Sequence, residues 1–600
     1  MDPAETLLSA LGEIPVRGGQ DVSSKMDAPS KVEARPLSKR LQQWNGAIES
    51  EFVANIPSFS FVSEPNEDSL AKLAVAVETL HGHLVHTVLS NPPLFSGNKE
   101  LSSGSESGIK DESDVARGGI VLLNDVEADA TTSRAAEAVA ECGAARTLED
   151  VEDDNEKLIL TSDLLRACKN ILRWTNQRRA LAMRVRGQSG PAEAEECVAN
   201  DETKRLRQPG TLRLYLVLLE GCSSHFQKGS TVLTHRDSVA QTASLALFHA
   251  TFGAGEPVAD VARSVLVGSK VNFIPSLARL VNLPHPLPLL ISLMRHVHSL
   301  VGSEPVLAKR LDSAVAEGSS DCKDKDLASV LVATLAWTLR SDPPFPGTDP
   351  GDRRSDLAVE VMRIMFVLQL RHASNNDEVK NDNDMMTQIG ILICDILQLP
   401  NADFRIYDIK LAAVNLLMDC PAEYGQFLMS NNGIPPLLAV LTLQLTTVVV
   451  ERTGSGAADA AAIVPILIAL TRLSAANDDV KKVIKEGIFP PEAEKGFQSK
   501  AREEKEKLRG GDRGSVGGLG AKNMSPLDAP RGTVRWKLLR LMTWTESNVK
   551  RCASEFIWTL CNGDATEFVL RTGFGNAVHI LGIKGLVTIP KESTVDIPMS

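Results

Sequence analysis

The sequence predicts an all-α protein built as a right-handed solenoid of stacked helix pairs or triplets, interrupted by long disordered insertions. Apolar segments two to four turns long recur with helical spacing and stop at Gly, Pro or polar clusters. Strand-like alternation is nearly absent. The segments follow one another at roughly 40 to 47 residues per pair or triplet, the period of armadillo and HEAT arrays. A non-repetitive helical bundle is the alternative arrangement of the same segments.

In chain order the helical segments are 70–90, 161–176, 210–222, 327–340, 357–371, 389–399 and 409–421. Many are apolar on more than one face, as expected when each helix is sandwiched between neighbours. In the last of them Leu411, Val414, Leu417 and Met418 make one stripe, and Pro421 is expected to stop the helix. At the C-terminal end, 535–587 reads as three helices. The middle one buries Val549, Cys552, Ala553, Phe556 and Leu560 on one stripe, with Thr545 or Ser547 as its cap and Gly563 at its end.

Between these segments lie stretches too polar to offset the entropy of ordering them. They are 98–119, 187–210, 317–326, 341–356, 371–384 and 500–532. The predicted organisation is a disordered tail over 1–38, one solenoid over 39–590, and a short tail over 591–600.

Composition narrows the function. With 43% hydrophobic residues the chain can bury a large core, and with only 17 Phe, 6 Trp and 3 Tyr that core is aliphatic. A net charge of −12 and so few aromatic platforms argue against nucleic-acid binding. The nine cysteines are scattered without a CxxC pair, which fits reduced thiols in a cytosolic protein. No run approaches the ~20 apolar residues of a membrane span, and the acidic, broken start MDPAETLLSALGEIPV does not read as a signal peptide.

Catalytic and cofactor motifs are missing. The Gly-rich GGDRGSVGGLGAKN at 510–523 lacks the GxxxxGK[ST] order of a phosphate loop. His81, His83 and His86, like His296 and His298, lack the i, i+4 spacing of helical metal ligands and read as packing residues. No cofactor is expected. The acidic run at 148–157 reads as a solvated helix start or a dock for a basic partner. The most positive part of the chain, RWTNQRRALAMRVR at 173–186 continuing in KRLRQPGTLRLY at 204–215, reads either as solvated arginines or as a patch for a carboxylate-bearing segment.

The run LLRLMTWTESNVKRCASEFIWTLCNGDATEFVLRTGFGNAVHILGIKGLV resembles the late-repeat signature of the synembryn family, chaperones and guanine nucleotide exchange factors of heterotrimeric G-protein α-subunits. Val549, Lys550 and Arg551 stand at its VKR positions. Ser554, Glu555, Phe556, Leu560 and Cys561 fill its next helix, and Thr572 to Ala577 its glycine turn. Upstream, RACKNILRWTN, GTLRLYLVLLEG and LAAVNLLMDCP resemble further family helices in the family's order. The chain departs from the pattern at Val367, where the family's KVLFNIT motif has asparagine, and it lacks the long C-terminal extension of animal members.

The resemblance implies a non-catalytic protein, a monomer, that binds a GDP-bound or nucleotide-free α-subunit through the α-subunit's C-terminal helix and promotes GDP release. It would act in the cytoplasm, with recruitment to the cell cortex or plasma membrane through the α-subunit. The implied partner-binding residues are Asn170, Arg173 and Arg213, with Lys550 and Arg551 from the motif; each also has a structural reading, as repeat capping or inter-repeat bonding. An armadillo-type adaptor without exchange activity is the other reading.

Overall fold

A computed structural model describes residues 31–54, 67–91, 151–186, 203–223, 233–252, 258–268, 271–317, 326–341, 352–375, 383–400, 404–421, 424–451, 462–490 and 532–587, with a few isolated positions besides. Among these residues every regular element is helical. The all-α prediction is met, with helices stacked on their near neighbours in sequence as a solenoid requires. The helices fall into two compact units, divided between Val330 and Leu331 and again between Glu360 and Val361.

The first unit contains α1 (Lys31–Ala54), α2 (Glu67–Leu89), α3 (Val151–Arg186), α4 (Pro209–Cys222), α5 (His235–Thr251), α6 (Val258–Val267), α7 (Phe273–Val281), α8 (Leu287–Ser303) and α9 (Pro305–Glu317). Helices α1 and α2 pack on α3, α3 and α4 on α5, and α5 on α8. Helix α5 can take neighbours on several sides because it is Ala-rich where they meet, with Ala240, Ala243, Ala246 and Ala250 fully buried. Its start is fixed by a capping box in which the Thr234 hydroxyl accepts from the Asp237 amide and Asp237 accepts from the Thr234 amide. Proline in the first turn starts α4 and α8, where the missing N–H costs nothing.

Helices α10 (Leu327–Arg340) and α11 (Arg354–Asn375) have residues in both units. The second unit continues with α12 (Asn383–Gln398), α13 (Phe404–Leu417), α14 (Tyr424–Ser430), α15 (Ile434–Thr446), α16 (Val464–Ala476), α17 (Asp478–Ile488), α18 (Val534–Leu541), α19 (Ser547–Leu560), α20 (Ala565–Thr572) and α21 (Phe574–Ile583). Helix α15 runs on as a π-helical turn over Thr447–Glu451. Helix α16 is the hub, packed against α13, α17 and α19.

Several boundaries differ from the sequence reading. Helix α1 begins inside the predicted tail, and Leu37 and Ser38 are already buried. The end of the predicted 187–210 insertion is folded: Lys204–Arg207 form a 3-10 turn in which Leu206 is fully buried. Helix α13 ends at Leu417, ahead of Pro421. The stretches 98–119, 500–531 and 591–600 lie outside the described residues.

The C-terminal segment contains four helices rather than three, because α20 forms between Gly563 and the glycine turn. Asp564 caps α20 by accepting from the amides of Thr566 and Glu567, a signal that the preceding Asn562-Gly563 pair hides in the sequence. The stripe is as expected, with Val549, Ala553, Phe556 and Leu560 buried and Cys552 at its edge. Gly563 and Gly573 take the positive φ values of 68° and 83° that glycine adopts without strain. Neither expected cap is used; the position before α19 belongs to Glu546, whose side chain makes no capping bond.

Candidate functional site

The polar residues singled out by the sequence lie in different surroundings. Asn170 and Arg173 sit one turn apart on α3, and Arg213 sits on α4; both helices pack on α5. Lys550 and Arg551 open α19 in the second unit.

Asn170 is fully buried. Its Nδ2 donates to Asn45 Oδ1 at 2.9 Å, and Asn45 Nδ2 in turn donates to the Asp163 carbonyl at 3.1 Å. This chain of amides locks α1 to α3, because leaving any of these groups unpaired away from water would cost about 1–3 kcal/mol. Among the described residues Asn170 Oδ1 has no donor. The Asp163 carboxylate, on the same helix, accepts from Ser38 and from Gln42 at 3.0 Å; burial raises its pKa more than these bonds lower it.

Beside this network is a group of cations that sequence reasoning saw only in part. Glu49 of α1 accepts from Arg166 Nε at 2.9 Å and Lys169 Nζ at 2.6 Å, both on α3. Burial works against the Glu49 carboxylate, but the two hydrogen-bonding cations outweigh it and pull its pKa down to about 2. Lys169 shows the opposite balance: burial lowers its pKa further than Glu49 raises it. Burial also lowers the pKa of Arg173, with Arg295 of α8 adding repulsion and Glu49 partly opposing both. Arg295 reaches Glu360 at 3.5 Å.

His249 of α5 stands where these charges meet. Burial, followed by repulsion from Arg173, Lys169, Arg295 and Arg207, lowers its pKa to about 3, so its ring is neutral near pH 7. Arg207 is held by neutral acceptors: Asn176 Oδ1 at 2.7 Å, Thr203 Oγ1 at 3.2 Å and the Ala250 carbonyl. Asn176 Nδ2 donates to the His249 carbonyl at 2.8 Å, so one asparagine positions both the arginine and the helix end beneath it. Lys169, Arg207, His249 and Arg295 were not singled out by the sequence reading. Arg207 lies in the 204–215 basic stretch, but spacing alone gave no signal that α8 would bring Arg295 to α3.

His81 and His296 are packing residues. His81 is 5% exposed and bonds Thr211 Oγ1 at 3.0 Å. Thr211 spends its own proton on the Arg205 carbonyl, so His81 Nε2 must be the donor. His296 donates to the Ser244 carbonyl at 2.9 Å amid Phe248, Phe252 and Phe273. No cluster of three or more His, Cys, Asp or Glu able to hold a metal ion occurs among the described residues.

In the second unit, Arg551 is exposed and Lys550 half-buried, and their side chains make no hydrogen bond or ion pair among the described residues. The glycine turn is fixed from behind. Arg571 lies 4.3 Å over the Phe489 ring and pairs with Glu567 at 2.8 Å, while Lys485 of α17 reaches the same carboxylate at 2.8 Å. Phe574, in the turn, is 59% exposed. No single helix among the described residues is long and apolar enough to cross a membrane.

Residues 524–596, which span α18 to α21, match the family model described as guanine nucleotide exchange factor synembryn. Similar curated relatives include the chaperone Ric-8A of Gallus gallus, 24% identical over 280 residues, which are 44% of this chain and 46% of the relative. The chaperone Ric-8A of Xenopus tropicalis is 25% identical over 278 residues, 44% of this chain and 45% of the relative. That of Bos taurus is 25% identical over 276 residues, 44% and 46% respectively. The chain spans a little under half the length of these relatives. The late-repeat helices, stacked around the glycine turn, coincide with the matched residues, so it is in α18 to α21 that this chain is similar to the synembryn family.

Proposed function

We propose that this protein binds heterotrimeric G-protein α-subunits, acting as a folding chaperone and as a receptor-independent guanine nucleotide exchange factor that engages the α-subunit's C-terminal helix. The observation that carries the reading is the match of 524–596 to the exchange-factor family together with the intact α18–α21 stack that those residues form. No side chain performs chemistry in this scheme. Release of GDP is differential binding: to weaken nucleotide affinity 100-fold, the protein must hold the nucleotide-free α-subunit about 100-fold tighter, or ~2.7 kcal/mol. The cations around α3 suit an acidic or carboxylate-bearing segment, with Arg173 and Arg213 as its proposed anchors, while Asn170, buried against Asn45, serves by holding α3 on α1. Lys550 and Arg551 are proposed as a second contact. The protein acts as a monomer in the cytoplasm and reaches the membrane with its α-subunit.

The experiment mixes the purified chain with GDP-loaded α-subunit and follows GDP release alongside complex formation. Complex formation with accelerated release is the expected result. Failure to bind any α-subunit overturns the proposal, and binding without accelerated release assigns the chain as a chaperone or adaptor. Arg213→Glu is expected to weaken the complex while leaving helical content intact.

A further inference from the structure

Three asparagines in the chain precede glycine: Asn45, Asn432 and Asn562. In such a pair the main-chain nitrogen reaches the preceding side-chain amide most easily, because glycine has no Cβ to hinder the approach. The fold treats the three differently. Asn45 is fully buried within α1, where its amide donates to the Asp163 carbonyl and accepts from Asn170. Asn432 and Asn562 both sit just past helix ends in the left-handed region, at φ 54° and 53°. Gly433 is buried, its N–H donates to the Leu428 carbonyl at 2.7 Å, and a Cβ on it would lie 2.9 Å from the Leu428 side chain. Gly563 is exposed, and its N–H bond to the Trp558 carbonyl is longer, at 3.1 Å. One more contact sets Asn562 apart. Lys481 Nζ, from α17, donates to its Oδ1 at 3.0 Å while also holding Asp478 at 2.7 Å.

We propose that Asn562 is a site of intramolecular deamidation, activated by Lys481. The Gly563 nitrogen attacks Cγ of Asn562 and closes a five-membered succinimide. The bond from Cγ to Nδ2 breaks, and Nδ2 leaves as ammonia, carrying the proton that Gly563 loses. Water then opens the ring at either carbonyl and gives aspartate or isoaspartate. Negative charge builds on Oδ1 as the nitrogen adds, and the Lys481 ammonium already donates to that oxygen. The Trp558 carbonyl must first release Gly563, a local opening that an exposed helix end permits. Both products act where α17, α19 and α20 meet. Aspartate turns the bond to Lys481 into an ion pair, and isoaspartate adds a methylene to the main chain just ahead of Asp564, the cap of α20. The reaction belongs to the free protein and does not depend on α-subunit binding.

The test ages the full chain in mildly alkaline buffer and follows the three asparagine peptides by mass spectrometry, with isoaspartate separated from aspartate. Asn562 is expected to convert first, to a mixture of both acids, with Asn432 and Asn45 slower by about tenfold or more, because their glycines are held by buried backbone or by a helix. In urea the three rates are expected to converge. Lys481→Met is expected to slow conversion of Asn562 by about fivefold, and Lys481→Arg, which keeps a donor, to leave it near the parent rate. Hydrogen exchange at the Gly563 amide checks that opening is unchanged in each variant. Should Lys481→Met loosen the fold, the ranking of the three sites in the parent and the Lys481→Arg rate carry the test. Conversion of Asn562 no faster than that of Asn432, a product without isoaspartate, a ranking that persists in urea, or an undiminished rate in folded Lys481→Met overturns the proposal.

Discussion

The two units solve the same problem, stacking helices, with different chemistry. In the first, polar groups are carried into the core: the buried histidines among the described residues, His81, His285 and His296, all lie there, as do the Asn45–Asn170 amide chain and the Arg207–Asn176 bond. In the C-terminal part of the second, the interior of α18 to α21 is mainly aliphatic and aromatic, and its buried cations are held one by one, Arg571 on the Phe489 ring and Glu567, Lys537 on Thr446. Apolar packing is non-directional and tolerates distance from its sequence pattern, whereas a buried polar network must satisfy every member. The first unit is therefore the part whose stability responds to pH and to single polar deletions, and the C-terminal part responds to loss of volume.

The largest expected effect tests the apolar half of that contrast. Phe556 is fully buried at the centre of α19. Phe556→Ala removes its contacts and leaves a cavity, and should destabilise the second unit by about 3–5 kcal/mol. Hydrogen exchange measured peptide by peptide should show protection lost in α16 to α21 while α3 to α5 keep theirs. Equal loss in both units would mean that they unfold as one.

The next effect is pH. His81 and His296 have pKa values lowered to about 4, in both cases chiefly by burial, against an ordinary 6.5. Because the folded values lie below the unfolded ones, the unfolded chain binds more protons between them. The stability held by these neutral rings is complete above about pH 6.5 and is lost as pH falls through 6.5 towards 4. At pH 5 this amounts to on the order of 2 kcal/mol for each ring. Denaturant titrations at pH 7.5 and 5.0, read through exchange of α2, α5 and α8, should show the first unit weakening before the second. The reverse order would break the comparison.

Much of this difference was legible in the sequence, and the reason for the rest is physical. Helical stripes are local, so the segments behind α2, α4, α10 and α19 and the core role of Val549, Phe556 and Leu560 could be read from spacing. The end of α19 and the glycine turn were legible because their conformational demand falls on Gly563 and Gly573 themselves. Helix α20 was missed because it is eight residues long and depends on its Asp564 cap and on Phe568 docking beside Trp558, a contact that no local pattern announces. The charge cluster was half-visible. Arg173 and Arg207 fall in the basic stretches and Lys169 lies one turn from Arg173, whereas His249 and Arg295 sit on α5 and α8, which only packing brings near. Asn170 was singled out because its helix resembles a family helix, and only the structure shows that its amide is engaged by Asn45.

A smaller effect probes backbone rather than packing. Gly573 ends α20 and begins α21 at φ 83°, ψ 145°, a region that side chains rarely enter. Gly573→Ala should cost about 1–3 kcal/mol, confined to the exchange of α20 and α21. An unchanged midpoint would mean that the turn relaxes freely and that its glycine is not needed for geometry.

The smallest expected effect on stability carries the most information about function. Arg551 is exposed, and its side chain makes no ion pair or hydrogen bond among the described residues. Arg551→Glu should therefore leave the denaturation midpoint within about 0.5 kcal/mol of the parent. Its neighbour Lys550 is expected to behave alike under Lys550→Glu. If these residues contact the α-subunit as proposed, charge reversal should weaken the complex severalfold, and the loss should shrink as salt is raised, because exposed charges are screened beyond about 10 Å at 0.1 M salt. If they instead bond one repeat to another, the order reverses: stability falls and affinity follows only in proportion. Measuring both quantities on the same two variants separates a cation kept at the margin for a partner from one kept there for the fold.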